Sequence, residues 1–205
     1  MTSAPLFDLA SRGDQLIAVG AAIWLSDDGG LSWTEVADDS TIGGVLYAAD
    51  ASSGLFVAAG DGGNGDLLGP PAIALVSSDA GRTWERRVID RDAGALSVVV
   101  GSSGRIVVGG YRDPDTPFWV SDDSGRTWKA AEFSGICCAG DLVSTPNGYV
   151  AASFGSFDGV LRSTDGLTWV AGPRAGSPDV IEWGPTFGLT GAREHHVLRG
   201  EETTP

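Results

Sequence analysis

Ser121-Asp122-Asp123-Ser124-Gly125-Arg126-Thr127-Trp128 spells out a tight turn between two strands. Asp followed closely by Gly favours chain reversal, because the carboxylate accepts backbone N–H bonds within the turn and Gly tolerates positive φ. The Ser and Thr hydroxyls are placed to hold the hairpin closed, and Trp128 opens the next strand with a large apolar surface to bury. The pattern recurs. Earlier copies are Ser26-Asp27-Asp28-Gly29-Gly30-Leu31-Ser32-Trp33 and Ser77-Ser78-Asp79-Ala80-Gly81-Arg82-Thr83-Trp84. A later copy, one residue shorter, is Ser163-Thr164-Asp165-Gly166-Leu167-Thr168-Trp169. The four tryptophans are 51, 44 and 41 residues apart, and a period of about 40–45 residues is that of one four-stranded propeller blade.

The segments between the turns agree. Before the third turn lie Leu96 to Val100, Arg105 to Gly109 and Phe118 to Val120, with Gly101-Ser102-Ser103-Gly104 joining the first two. Apolar runs of this length, bounded by Gly, Asn, Asp and Ser, are the mark of an all-β chain. No 11-residue window carries a helical period. The expected architecture is one domain over 1–205, an all-β small propeller with repeats at about 5–37, 43–89, 94–131 and 135–172 and a partial one at 178–200. The partial repeat has three strand candidates, Val180 to Trp183, Phe187 to Thr190 and His196 to Arg199, and then Glu201-Glu202-Thr203-Thr204-Pro205 in place of another acidic turn. Five blades, the fifth lacking a complete outer strand, is the simplest closure. That edge would pair with the N-terminus or, by strand addition, with a second chain to give a homo-oligomer.

The Ser-x-Asp-x-Gly-x-Thr-Trp turn resembles the Asp box, or BNR repeat, of sialidases and many other propellers. The resemblance implies that the turn joins the third and fourth strands of a blade, and that Asp28, Asp79, Asp123 and Asp165 are structural. It also implies that any ligand sits on the opposite face. Sialidase chemistry itself needs three arginines for the substrate carboxylate, a Tyr nucleophile paired with Glu, and an acidic Asp. Here the early Arg-Ile-Pro-type motif is absent. Tyr47, Tyr111 and Tyr149 have no evident Glu partner, and the chain is short for the six blades of a sialidase. No Gly-x-Ser-x-Gly, His-Glu-x-x-His or phosphate loop is present either.

Composition narrows the partners. The net charge is −14 over 205 residues, so nucleic acid and anionic membrane surfaces are disfavoured. No apolar run approaches the length of a membrane span and Met1 to Asp8 carries no leader-like pattern, so the chain reads as cytoplasmic as written, or secreted if a signal peptide was removed. Cys137 and Cys138 are adjacent, a spacing that matches no metal pattern and in which a mutual disulfide is strained. They read as small buried residues near a strand start.

Sites are sought on the face opposite the acidic turns, where the loops between second and third strands converge. The longest such loop, from Gly60 to Pro71, offers Asp61, Asn64 and Asp66 as oxygen ligands for Ca²⁺. Arg112, Asp113, Asp115, Arg193 and His195 are candidates for a polar ligand, and Tyr47, Tyr111 and Trp183 for stacking against a sugar. The expected function is a non-catalytic binding module for a glycan or protein ligand. The alternatives are a small glycoside hydrolase or lyase at the channel mouth, and an assembly or scaffold factor.

Overall fold

A computed structural model describes residues 5–63, 70–112, 118–131, 138–154, 159–172, 180–182, 188–191 and 194–199; Phe154 and the last three stretches are described by backbone alone. The chain runs as successive antiparallel meanders. The first sheet is β1 (Leu6–Arg12), β2 (Gln15–Gly20), β3 (Ile23–Ser26) and β4 (Thr34–Ala37). The second is β5 (Gly44–Ser52), β6 (Leu55–Gly62), β7 (Ala72–Ser77) and β8 (Glu85–Asp90). The third is β9 (Gly94–Val100), β10 (Ile106–Tyr111), β11 (Phe118–Ser121) and β12 (Lys129–Ala130). The fourth is β13 (Cys138–Thr145), β14 (Gly148–Phe154), β15 (Gly159–Ser163) and β16 (Val170–Ala171); a single β10–β13 pairing, Tyr111 opposite Cys138, joins it to the third, so that these two four-stranded units form one eight-stranded ladder. The fifth has three strands, β17 (Val180–Glu182), β18 (Gly188–Gly191) and β19 (Glu194–Arg199).

The first strand of each sheet packs beside the first strand of the next, β1 on β5, β5 on β9, β9 on β13 and β13 on β17. Alternation then gives every middle sheet two buried faces. Ile17, Leu25, Phe56 and Leu75 fill the space between the first and second sheets. Val57, Val76, Ile106 and Trp119 fill the next, and Val107, Val120, Leu161 and Trp169 the one after. Trp169 stacks on Phe118, ring centroids 3.9 Å apart.

The acidic turns join third to fourth strands, and their geometry repeats almost atom for atom. In the second copy Ser77 Oγ donates to Asp79 Oδ1 at 2.8 Å and accepts from the Gly81 amide at 2.9 Å. Asp79 then accepts from the Thr83 amide at 2.9 Å and the Thr83 hydroxyl at 2.6 Å. Ser26/Asp28/Gly30/Ser32 and Ser121/Asp123/Gly125/Thr127 repeat the set. In the shorter copy the Gly166 amide reaches Ser163, and Asp165 collects the Leu167 and Thr168 amides. Trp33, Trp84 and Trp169 donate indole N–H to Gly30, Gly81 and Gly166 carbonyls. Trp128 makes no such bond, and its buried Nε1 has no partner among the described residues.

These donors hold Asp28, Asp79 and Asp123 at a pKa of about 2, the Ser32, Thr83 and Thr127 hydroxyls contributing most. Both carboxylate oxygens of Asp28, Asp79 and Asp123 accept hydrogen bonds within their own hairpins.

Two features depart from the sequence reading. A one-turn helix, α1 (Asp39–Ile42), links the first and second sheets, capped by the Asp38 side chain and by left-handed Gly43; four residues are too few to show a period. Cys138 is half-buried and disulfide-bonded rather than a free packing residue.

Candidate functional site

Each of the first four sheets carries a β-bulge at the same height in its innermost strand. The extra residue is Phe7, Tyr47, Leu96 and Gly140 in turn. Just before the bulge, β2, β6 and β10 place Gly20, Gly60 and Gly110 opposite it. A Cβ on any of these would stand 2.0–2.1 Å from the carbonyl oxygen of Pro5, Val45 or Gly94. Glycine is required there because the bulge draws the two backbones together. Bulged residues of neighbouring sheets touch: Phe7 meets Tyr47 edge-on, centroids 5.5 Å apart.

One residue beyond these glycines stand Asp61 and Tyr111, in adjacent sheets. The Tyr111 hydroxyl donates to Asp61 Oδ2 at 3.0 Å, and the Ala95 amide donates to Oδ1 at 3.0 Å. Gly94 leaves room for the Tyr111 ring, whose atoms lie 2.1–2.3 Å from where a Cβ would be. Burial raises the Asp61 carboxyl, outweighing its two donors. Burial and the Asp61 bond push Tyr111 up to about 12, and burial raises Tyr47, with a smaller contribution from the Asp61 charge. Beside them Arg112 Nη1 lies 3.3 Å from Asp90 Oδ2, which also accepts from Trp119 Nε1 at 3.3 Å.

This cluster lies away from the acidic turns, which are tied to the turns between first and second strands: Gln15 Nε2 donates to Asp27 at 2.8 Å and the Gly29 amide to the Asp14 carbonyl at 2.9 Å. The two faces are therefore distinct, as expected from the hairpin assignment. Of the sequence candidates, Tyr47, Tyr111, Arg112 and Asp61 occupy this end. Asn64, Asp66, Asp113, Asp115, Trp183 and Arg193 lie outside the described residues, and His195 is placed only as a backbone position on β19. Among the described residues no three His, Cys, Asp or Glu side chains form a metal-holding group, and Asp61 is committed to Tyr111 and Ala95. No helix among them is long and apolar enough to cross a membrane.

Sequence reasoning missed two carboxylates. Asp8 accepts from the Ala49 amide at 2.8 Å and Asp50 from the Val100 amide at 2.6 Å, each hooking an innermost strand to the next sheet. Burial raises the pKa of both. Their signal was an Asp inside an otherwise apolar strand.

The fold is that of a β-propeller. The chain is similar to a solved structure of YCF48 bound to D1 peptide, with a TM-score of 0.62 and 20% identity over 92% of this chain and 61% of that one. It is similar to YCF48 from Cyanidioschyzon merolae, with a TM-score of 0.60 and 16% identity over 97% of this chain and 72% of that one. The GH74 enzyme of Niastella koreensis gives a TM-score of 0.60 and 20% identity, covering 81% of this chain and 30% of the enzyme. By sequence, 107 residues are 31% identical to the chloroplastic photosystem II stability/assembly factor HCF136 of Oryza sativa subsp. japonica. That match takes in 51% of this chain and 25% of the factor, so the chain spans about a quarter of the curated relative. No family model matches.

Proposed function

We propose that this chain is a non-catalytic propeller that holds a segment of a partner protein during assembly of a larger complex. The reading rests on the 31% identity to an assembly factor over half of the chain, and on likeness to YCF48, which has been solved with a peptide of D1 bound. The repeated acidic turn fits the Asp-box class of propellers, and the five sheets fit five blades of one arc. The ligand end is the Tyr47–Asp61–Tyr111 cluster with Arg112. Its aromatic rings offer apolar faces, and its polar groups are fixed before a ligand arrives, which lowers the ordering cost of binding. The Asp61 carboxylate is held by Tyr111 and an amide rather than poised for proton transfer, which favours binding over turnover. A disulfide at Cys138 suits an oxidising compartment better than cytoplasm. Calcium at the Asp61 loop remains a subsidiary proposal, tested by titration of the full chain with CaCl2.

The test is panning a phage-displayed peptide library on the full chain. Enriched peptides are expected to lose at least tenfold in affinity against Tyr47→Ala and Arg112→Ala. Absence of enrichment, or release of chromophore from chromogenic glycosides that Asp61→Asn abolishes, would overturn the reading in favour of a glycosidase.

A further inference from the structure

Both asparagines of the chain stand before a glycine, as Asn64-Gly65 and Asn147-Gly148. The first pair lies outside the described residues. The second sits at the tip of the hairpin between β13 and β14, where Thr145 and Gly148 form the last pair of the ladder. Thr145-Pro146-Asn147-Gly148 has its proline second and its glycine fourth, as a type I turn favours. Pro146 and Asn147 are exposed. The Asn147 backbone amide donates to Thr145 Oγ1 at 3.2 Å, and that hydroxyl donates to the Gly148 carbonyl at 3.2 Å. The Asn147 side-chain amide has no hydrogen-bond partner among the described residues.

The fold requires the glycine. Gly148 holds φ at 119°, and a Cβ there would stand 2.2 Å from the Ser163 carbonyl oxygen and 2.7 Å from Thr164 Cα, at the start of the fourth acidic turn. The residue after Asn147 is therefore kept without a side chain, and nothing on it hinders its backbone nitrogen from reaching the Asn147 side-chain carbonyl. The Asp-Gly pairs among the described residues are held differently. Asp28, before Gly29, accepts from Ser26 and Ser32. Asp165, before Gly166, accepts from Ser163, Leu167 and Thr168. Asp61, before Gly62, accepts from Tyr111 and Ala95. Those carboxyls are fixed on their donors, whereas Asn147 offers an exposed amide carbonyl.

We propose that Asn147-Gly148 is a self-modifying site at the tip of the fourth sheet. The Gly148 nitrogen attacks Asn147 Cγ. The N–Cγ bond forms, the Cγ–NH2 bond breaks, and the Gly148 amide proton leaves with the side-chain NH2 as ammonia. Water then opens the cyclic imide. Hydrolysis at Cγ leaves aspartate; hydrolysis at the main-chain carbonyl leaves isoaspartate, whose chain runs through Cβ and Cγ and is one carbon longer. Either product adds one negative charge to the −14 of the chain. Isoaspartate also lengthens the link between Thr145 and Gly148, whose far end is pinned against Ser163, so the tip swings outward and the Thr145–Gly148 pair parts. This tip adjoins an acidic turn, at the end away from Tyr47, Asp61 and Tyr111, so the site does not rest on the peptide-holding reading.

The test is incubation of the full chain at mildly alkaline pH, with the peptides holding Asn147 and Asn64 followed separately by mass spectrometry. Isoaspartate is read by enzymatic methylation of its free α-carboxylate. Expected are the mass gain of NH2 exchanged for OH at Asn147 and an isoaspartate signal in the same peptide. The rate is expected to lie less than tenfold below that of the chain unfolded in urea. Asn147→Gln, exposed and outside the strands, is expected to keep the parent Tm and to slow conversion at this position at least tenfold, because its ring needs one more atom. The isoaspartate form, isolated by chromatography, is expected to melt below Asn147→Asp, which carries the same charge on a main chain of ordinary length. An unconverted Asn147 peptide, a folded-state rate tenfold or more below the unfolded one, conversion without isoaspartate, undiminished conversion of Asn147→Gln, or equal melting of the isoaspartate form and Asn147→Asp overturns the proposal.

Discussion

Tyr111 and Asp61 occupy equivalent positions in adjacent sheets, each one residue past the glycine opposite a bulge, and the tyrosine hydroxyl reaches the carboxylate at 3.0 Å. The bond ties the second sheet to the third at the end away from the acidic turns. Tyr111→Phe removes the donor and leaves a half-buried carboxylate with the Ala95 amide alone. The expected cost is about 1–2 kcal/mol, or a fall in Tm of roughly 2–8 °C in thermal denaturation. Asp61→Asn, which keeps an acceptor and sheds the charge that burial penalises, should cost less.

The shared serine of each acidic turn is the harder-working partner. Ser77 is buried, donates to Asp79 and accepts from the Gly81 amide. Ser77→Ala leaves that buried amide without an acceptor, at a cost of about 1–3 kcal/mol. Chemical denaturation should show the loss as a lower midpoint at unchanged slope.

Ala80 and Ser124 hold φ of 64° and 60°, where the first turn has Gly29 at 70°. A side chain in the left-handed region costs about 1–2 kcal/mol. Part of that returns as the greater unfolded-state entropy of glycine. Ala80→Gly and Ser124→Gly should each raise stability, by about 0.5–1 kcal/mol net of the two effects. Unchanged or lower Tm in both variants would show that the turn is not strained.

The acidic turns were legible in the sequence because everything that forms them lies within eight residues: the bonds from Ser77 to Asp79 and from Asp79 to Thr83 are all local. Repeat spacing then carried the reading to the propeller, and the resemblance to the Asp box pointed to the face away from the turns. The Asp61–Tyr111 bond was not legible, since its partners are 50 residues apart and meet only because two bulges share one height. Both residues were singled out, but for different roles, one as a calcium ligand and the other as a stacking surface. Asp8 and Asp50 were invisible for the same reason, their partners being amides 41 and 50 residues away on another sheet.

The two sets of carboxylates pull stability in opposite directions with pH. Asp28, Asp79 and Asp123 sit at about 2 against an ordinary 3.8. The folded state therefore binds their protons more weakly than the unfolded state, and their contribution, full above pH ~4, is lost as pH falls toward 2. Asp8, Asp50 and Asp61 are raised above 3.8 by burial. The folded state holds their protons more tightly, so stability rises as pH falls from neutrality through their folded pKa values and levels off below about 3.8. Tm measured from pH 8 to pH 2.5 should pass through a maximum on the acid side of neutrality and fall steeply below pH ~4. Asp8→Asn and Asp50→Asn, each removing one raised group, should flatten the limb above the maximum and leave the acid limb in place. Thr83→Val, which removes the strongest donor to Asp79, should shallow the acid limb only. A Tm that declines monotonically from pH 8 downward in the parent chain would mean that burial does not raise the inter-sheet aspartates, and that their amide bonds dominate instead.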